Sequence, residues 1–125
     1  MLADQNIWVL KPNDCNRGRG VEVFNKLDEL KRLINDSLSQ EPSNQEENPK
    51  IKSDLFVIQK YIERPMLINS RKFDIRLWVL VTQDHNCHLF KEGYVRMSSY
   101  KYTIDSDSIS KRAVHLTNIA IQKLD

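Results

Sequence analysis

Apolar residues come in short, alternating runs along most of this chain. "IWVLK" (7–11) and "VEVF" (21–24) read as two paired strands joined by an over-long basic tip, "NRGRG" at 16–20. Asn25 is placed to cap a following helix, with Asp28 near its first turn. Leu27, Leu30, Ile34 and Leu38 then recur at helical spacing through about Ser39, and one face of that helix is expected to pack on the sheet. From 40 to 53, "QEPSNQEENPKIKS" has two prolines and no apolar period and reads as an exposed or disordered insertion. Beyond it "LFVIQKYI" (55–62) reads as a strand and "ERPMLINS" as a turn-rich connection. "KFDIRLWVLVT" (72–82) reads as one long strand, with "HLFKEGYVRM" (88–97) pairing back on it through "QDHN". "SSYKYTIDSDSISKRA" is polar and loop-like up to "VHLTNIAIQK", and no internal repeat is evident.

Strand parity sorts the residues that bear chemistry. In "KFDIRLWVLVT" the two-residue period puts Phe73, Ile75, Leu77, Val79 and Val81 on one face, expected to be core. Lys72, Asp74 and Arg76 share the other, about 6.6 Å apart from one to the next. Those three form either a solvated salt-bridge ladder or the start of a site. The same face continues into Trp78 and Leu80, and a face charged at one end and apolar at the other suits a ligand with a polar tail and a flat apolar head. Lys11 repeats the arrangement: it shares a strand face with Ile7 and Val9 and ends beside the glycine loop, where it either snorkels to water or meets an anion.

Composition narrows the classes. With 125 residues, 40% hydrophobic and 29% charged, the chain has the make-up of one modest globular domain or part of one. A net charge of +2 argues against a general nucleic-acid or membrane binder, so attraction to acidic partners must come from local clusters. Cys15 and Cys87 lie far apart without metal-like spacing, which fits a reducing compartment and no disulfide framework. The N-terminal stretch has no signal-peptide pattern and no apolar run approaches membrane-spanning length, so a soluble, cytoplasmic protein is expected.

The basic tip is then the place to look for phosphate. Gly18 and Gly20 allow close backbone approach, while Arg17 and Arg19 supply charge-assisted donors. It lacks the pattern of a P-loop and the three glycines of dinucleotide or kinase loops, and it is bracketed by strands, unlike a disordered RNA-binding segment. His115, between Val114 and Leu116, is by pattern a buried, hydrogen-bonded histidine, Thr117 and Asn118 a turn or cap, Tyr61 and Phe73 core, and Gly93 a bulge or close packing point.

Taken in order, "WVLKP", "RGRG", "VIQKYIERPMLI", "RKFDIRLWVLV", "EGYVRMSSYKY" and "VHLTNIAIQK" resemble the tubulin-tyrosine-ligase-like family over nearly the whole chain, interrupted only around 40–53. The resemblance implies an α+β, ATP-grasp-like fold, mainly antiparallel sheet with a packed helix, here an incomplete domain spanning 1–125. It implies an ATP-dependent ligase that joins an amino acid, with glutamate favoured, to tubulin carboxylates through an acyl phosphate. By the same resemblance Lys11 contacts the nucleotide phosphates and Arg17, Gly18, Arg19 and Gly20 cover them. Gln59, Lys60, Tyr61 and Ile62 form the adenine hinge, Lys72 and Asp74 hold nucleotide with Thr117, and Arg76, Arg96, His115 and Asn118 serve the catalytic end. The implied partners are the acidic tails of tubulin or microtubules and a free amino acid, with no nucleic acid and no membrane, at the cytoskeleton or a cilium or basal body.

Both reactants of such a phosphoryl transfer are anions, so clustered Lys and Arg are what the chemistry requires. No metal ligands are assigned in this chain. The family's magnesium ligands, an aspartate and a Glu-x-Asn pair, are expected outside it, beyond the histidine-threonine-asparagine block. The alternative expectation is a catalytically inactive relic that binds nucleotide or acidic tails.

Overall fold

A computed structural model describes residues 5–38, 53 and 55–123. Most of the stretch read as an insertion, 40–53, lies outside the described residues. Strand β1 (Trp8–Pro12) lies between β2 (Glu22–Phe24) and β3 (Phe56–Lys60) in an antiparallel sheet ordered β2-β1-β3. Helix α1 (Leu27–Leu38) follows β2. A second sheet, β4-β5-β8, is built from β4 (Leu67–Ile68), β5 (Arg71–Arg76) and β8 (Tyr94–Met97), and β6 (Val79–Val81) pairs with β7 (Cys87–Leu89) as a separate ribbon. Three one-turn helices close the described chain: α2 (Ser106–Ile109), α3 (Arg112–His115) and α4 (Ile119–Gln122). The architecture is α+β with antiparallel pairing throughout these strands. Among the described residues no helix is long and apolar enough to cross a membrane.

The alternation in the first hairpin does what its period demands. Ile7 and Val9 project to one side with Val23 and Tyr61, and with Ile109 they form the buried cluster onto which Val21, Tyr102 and Ile104 pack. Lys11 continues the same face and stands at the polar end of an apolar lane. A buried carboxylate fastens the start of this sheet. Glu63 accepts the backbone N–H of Gln5 and Ile7 at 2.7 and 2.8 Å and pairs with Lys60, which also donates to the Ile7 carbonyl. The Lys60 ammonium and the Ile7 amide hold the Glu63 carboxyl well below the usual carboxylate range. "ERPMLINS" is therefore more than a turn: it carries this anchor and the short strand β4.

Three expectations are corrected. The long strand 72–82 is broken at Leu77 and Trp78. A Cβ on Gly93 would fall 2.6 Å from the Leu77 side chain and 2.8 Å from the Arg76 carbonyl, so the segment just before β8 presses on the break. The apolar face of that strand is not core: Ile75 and Val79 are 61% and 62% exposed, while Lys72 and Asp74 on the opposite face are half-buried. Phe73 is half-buried as well, and Arg76 on the charged face is exposed, so cover follows position along the strand: its first residues are half-buried, Lys72 and Asp74 through their bonds to Tyr61 and Thr117, and its far end is open. Finally, α1 fully buries none of its side chains. Its middle residues Leu30 and Ile34 are half-covered, and Leu27 and Leu38 at its ends are exposed, so it is not the packed helix expected.

Because the core sits between the first sheet and the C-terminal turns, Ile109→Ala is expected to cost about 2–4 kcal/mol. Val79→Ala, on the open ribbon, should stay within about 0.5 kcal/mol. Urea unfolding of the two variants beside the wild type measures the contrast, and equal losses would place the core elsewhere.

Candidate functional site

The site grows from the ends of three strands. In the β1–β3 register Val9 lies opposite Gln59, so Gln59 is the diagonal neighbour of Lys11 on one face, and Lys11 Nζ donates to Gln59 Oε1 at 2.5 Å. Tyr61, one residue past β3, extends the ladder by donating its N–H to the Ile7 carbonyl, and its ring enters the core. Its hydroxyl emerges at the second sheet, where Lys72 Nζ donates to it at 2.9 Å and lies 4.5 Å from the ring centre. Asp74 and Arg96 face each other across β5 and β8. Arg96 Nε donates to Asp74 Oδ1 at 2.7 Å, and the Thr117 hydroxyl donates to the other carboxylate oxygen.

This changes the electrostatic picture. Asp74 does not neutralise its strand neighbours; it is taken by Arg96 and Thr117. Lys11 and Lys72 are instead held by a neutral amide and a neutral hydroxyl, and among the described residues neither forms an ion pair with a carboxylate. Burial pushes the Lys72 ammonium down to about 8, the charge of Asp74 works against that fall, and the charge of Lys11 adds to it. Two cations that repel each other and lack anionic partners make a place where an anion is stabilised.

The loop lies close to this end of the molecule. Arg17 and Gly18 both take positive φ, 58° and 79°. A Cβ on Gly18 would lie 2.8 Å from Asn118 Oδ1 and 3.2 Å from Ile121, so the loop backbone rests directly on α4. Arg112 of α3 fastens it from behind, donating to the Gly18 carbonyl at 2.6 Å and standing 3.7 Å from Glu22.

His115 is fully buried, as its apolar flanks suggest. Its two ring nitrogens meet the Tyr61 hydroxyl at 3.0 Å and the Ser108 carbonyl at 2.9 Å, and burial lowers its pKa.

Of the residues singled out beforehand, Lys11 and Gln59, then Tyr61, Lys72 and His115, then Asp74, Arg96 and Thr117 are drawn into three bonded groups on adjoining elements, and Gly18 meets Asn118. Others stand apart. Arg17 is exposed, Arg19 donates to Asn16, Gly20 is half-buried, Arg76 is exposed, and Ile62 is 71% exposed. Lys60 turns the other way, to Glu63 and the Trp8 ring. Glu63, Arg112, Ser98 and Ser108 were not anticipated. Ser98 is 1% exposed and donates to the Ala113 carbonyl, tying β8 to α3. Among the described residues no three His, Cys, Asp or Glu side chains converge as metal ligands would.

Fold and site together define an antiparallel α+β unit with two lysine ammonium groups where its two larger sheets meet its C-terminal turns. Comparison with known proteins gives the family: the model of the tubulin-tyrosine ligase family matches residues 2–125, and this chain belongs to that family. Tubulin glycylase 3B of Tetrahymena thermophila is 40% identical over 122 residues, covering 95% of this chain and 9% of that protein. Tubulin monoglycylase TTLL3 of Homo sapiens is 38% identical over 127 residues, covering 98% and 14%. Tubulin glycylase 3A of Drosophila melanogaster is 37% identical over 121 residues, covering 95% and 11%. The chain thus spans only a small part of the length of these relatives.

Lys72 is expected to titrate near pH 8, and Asp74→Asn should move its midpoint further down by removing the charge that favours the ammonium. Carbon-13 NMR of the lysine ε positions reads both midpoints. A wild-type midpoint near that of free lysine, or an upward move in Asp74→Asn, would contradict the burial described above.

Proposed function

We propose that this chain supplies part of the nucleotide-binding portion of an ATP-grasp ligase that adds an amino acid to tubulin carboxylates, and that the amino acid is glycine. The observation that carries the nucleotide reading is the pair Lys11 and Lys72, two ammonium groups bonded to neutral oxygens and, among the described residues, in no ion pair with a carboxylate. Family membership and the glycylase relatives support the ligase reading. Those relatives give no support to the glutamate expected beforehand and favour glycine.

The residues present fit a polyphosphate. Lys11 and Lys72 offer charge at the end of the apolar lane, and the Gly18 turn lies against Asn118, the residue after the Thr117 that bonds to Asp74. Bound ATP supplies the phosphoryl group that activates a carboxylate. The part of this chain is to bind and orient. Lysine ammonium groups offset the repulsion between two anions, while Asp74, Arg96 and Thr117 hold β5, β8 and the turn before α4 in fixed relation. A magnesium ion finds no carboxylate cluster among the described residues, and Asp74 is already committed, so no step is assigned to one. On this reading the protein works at microtubules, on acidic tubulin tails.

The test is amino-acid incorporation into tubulin by the complete protein, with ATP and radiolabelled glycine or glutamate in parallel. Glycine incorporation is expected, falling at least about tenfold in Lys11→Ala and Lys72→Ala with little change in melting temperature, since each loses a charged contact to phosphate. Preferential incorporation of glutamate would overturn the amino-acid choice, and full activity in both lysine variants would overturn the nucleotide site.

A further inference from the structure

Tyr61, His115 and Ser108 come from the end of β3, from α3 and from α2, yet they form one chain of hydrogen bonds that ends on Lys72. Chemistry sets the direction of each bond. The Ser108 carbonyl only accepts, so His115 Nε2 carries the proton. In the neutral ring Nδ1 is then bare and accepts the Tyr61 hydroxyl proton at 3.0 Å; the Tyr102 hydroxyl, which also acts on Tyr61, gives its own proton to the Glu63 carbonyl, and the Tyr61 oxygen accepts from the Lys72 ammonium at 2.9 Å. The histidine has no room to turn elsewhere. It is 1% exposed, and the Tyr61 and Tyr102 rings stand edge-on to it at 5.5 and 5.9 Å.

Deepening the nucleotide reading above and resting on it, we propose that Tyr61 and His115 are positioning residues for Lys72: a buried relay anchored on the Ser108 carbonyl that aims the ammonium at the bound anion. His115 then acts through Tyr61 and needs no contact with the substrate. A lysine stem is long and freely rotating, and a fixed acceptor is what turns its charge into a directed one. The proton that Tyr61 gives to His115 makes its oxygen a better acceptor for Lys72, so the two bonds reinforce each other. The charged groups acting on Lys72 besides this relay are Asp74 and Lys11, and neither bonds to it.

The experiment is a double-mutant cycle on ATP affinity, measured by calorimetry on the full chain, with Tyr61→Phe and Lys72→Met alone and together. Tyr61→Phe is expected to weaken ATP about tenfold, as for loss of a hydrogen bond to a charged group. In the Lys72→Met background it should have no further effect. His115→Asn, which keeps an acceptor for the hydroxyl, should bind more tightly than His115→Leu. If the His115 variants fail to fold, Tyr61→Phe carries the test, since it keeps the ring in the core. An equal loss from Tyr61→Phe with and without Lys72, or no loss while Lys72→Met does weaken binding, would overturn the relay. If Lys72→Met has no effect on ATP, the nucleotide reading fails instead. The relay is then judged by the Lys72 ε-carbon titration, which Tyr61→Phe must shift downward and which an unmoved midpoint would refute.

Discussion

A tyrosine hydroxyl carried into a core must find hydrogen-bond partners there, and Tyr61 finds them on two different elements. Its ring packs with Ile7, Val9, Val23 and Ile109, its backbone N–H extends the first sheet, and its hydroxyl joins Lys72 of the second sheet to His115 of α3. Burial, backbone pairing and side-chain bonding are therefore satisfied together only when both sheets and the C-terminal turns hold the arrangement seen. The Lys72 ammonium is held at this joint by the Tyr61 hydroxyl, and the charge of Lys11, bonded to Gln59 on the first sheet, acts on it.

The distribution of carboxylates follows from the same geometry. Glu63 is spent on the framework, where it closes the start of β1 with two backbone amides and Lys60. Asp74 is spent on Arg96 and Thr117, and Glu22 stands near Arg112 behind the loop. What is left at the meeting of the sheets is positive. A framework that commits these acids to backbone amides, threonine and arginine leaves Lys11 and Lys72 bonded to neutral oxygens, and this is what the proposed nucleotide reading rests on.

The local parts of this arrangement were legible in the sequence. Parity placed Lys11 at the end of the Ile7–Val9 lane and put Lys72, Asp74 and Arg76 on one face, because a two-residue period is a property of the strand alone. Which face is covered is not local. It depended on Thr117, 43 residues from Asp74, which with Tyr61 covers Asp74 and Lys72 while Arg76 on the same face stays exposed. Glu63 looked like a turn residue because its role depends on the amide of Ile7, 56 residues away, and Arg112 looked like one basic residue among several because its acceptor is the Gly18 carbonyl, 94 residues away. The break after Arg76 left its mark on the segment opposite, as Gly93 just before β8.

"QKYI" shows how strand alternation divides labour within four residues. Gln59 and Tyr61 share the face of Lys11 and reach the cationic end, the first by its amide and the second by its hydroxyl. Lys60 points to the opposite face, where it neutralises Glu63 and covers the Trp8 ring, and Ile62 lies outside the ladder, exposed. In this segment Gln59 and Tyr61 thus bond to the two lysines while Lys60 between them bonds to the framework. The scaffold residue matters to the site all the same, since Glu63 and Lys60 fix the Ile7 carbonyl that receives the Tyr61 amide. The orientation of a lysine on the second sheet therefore traces back, through one tyrosine, to an ion pair on the far side of the first.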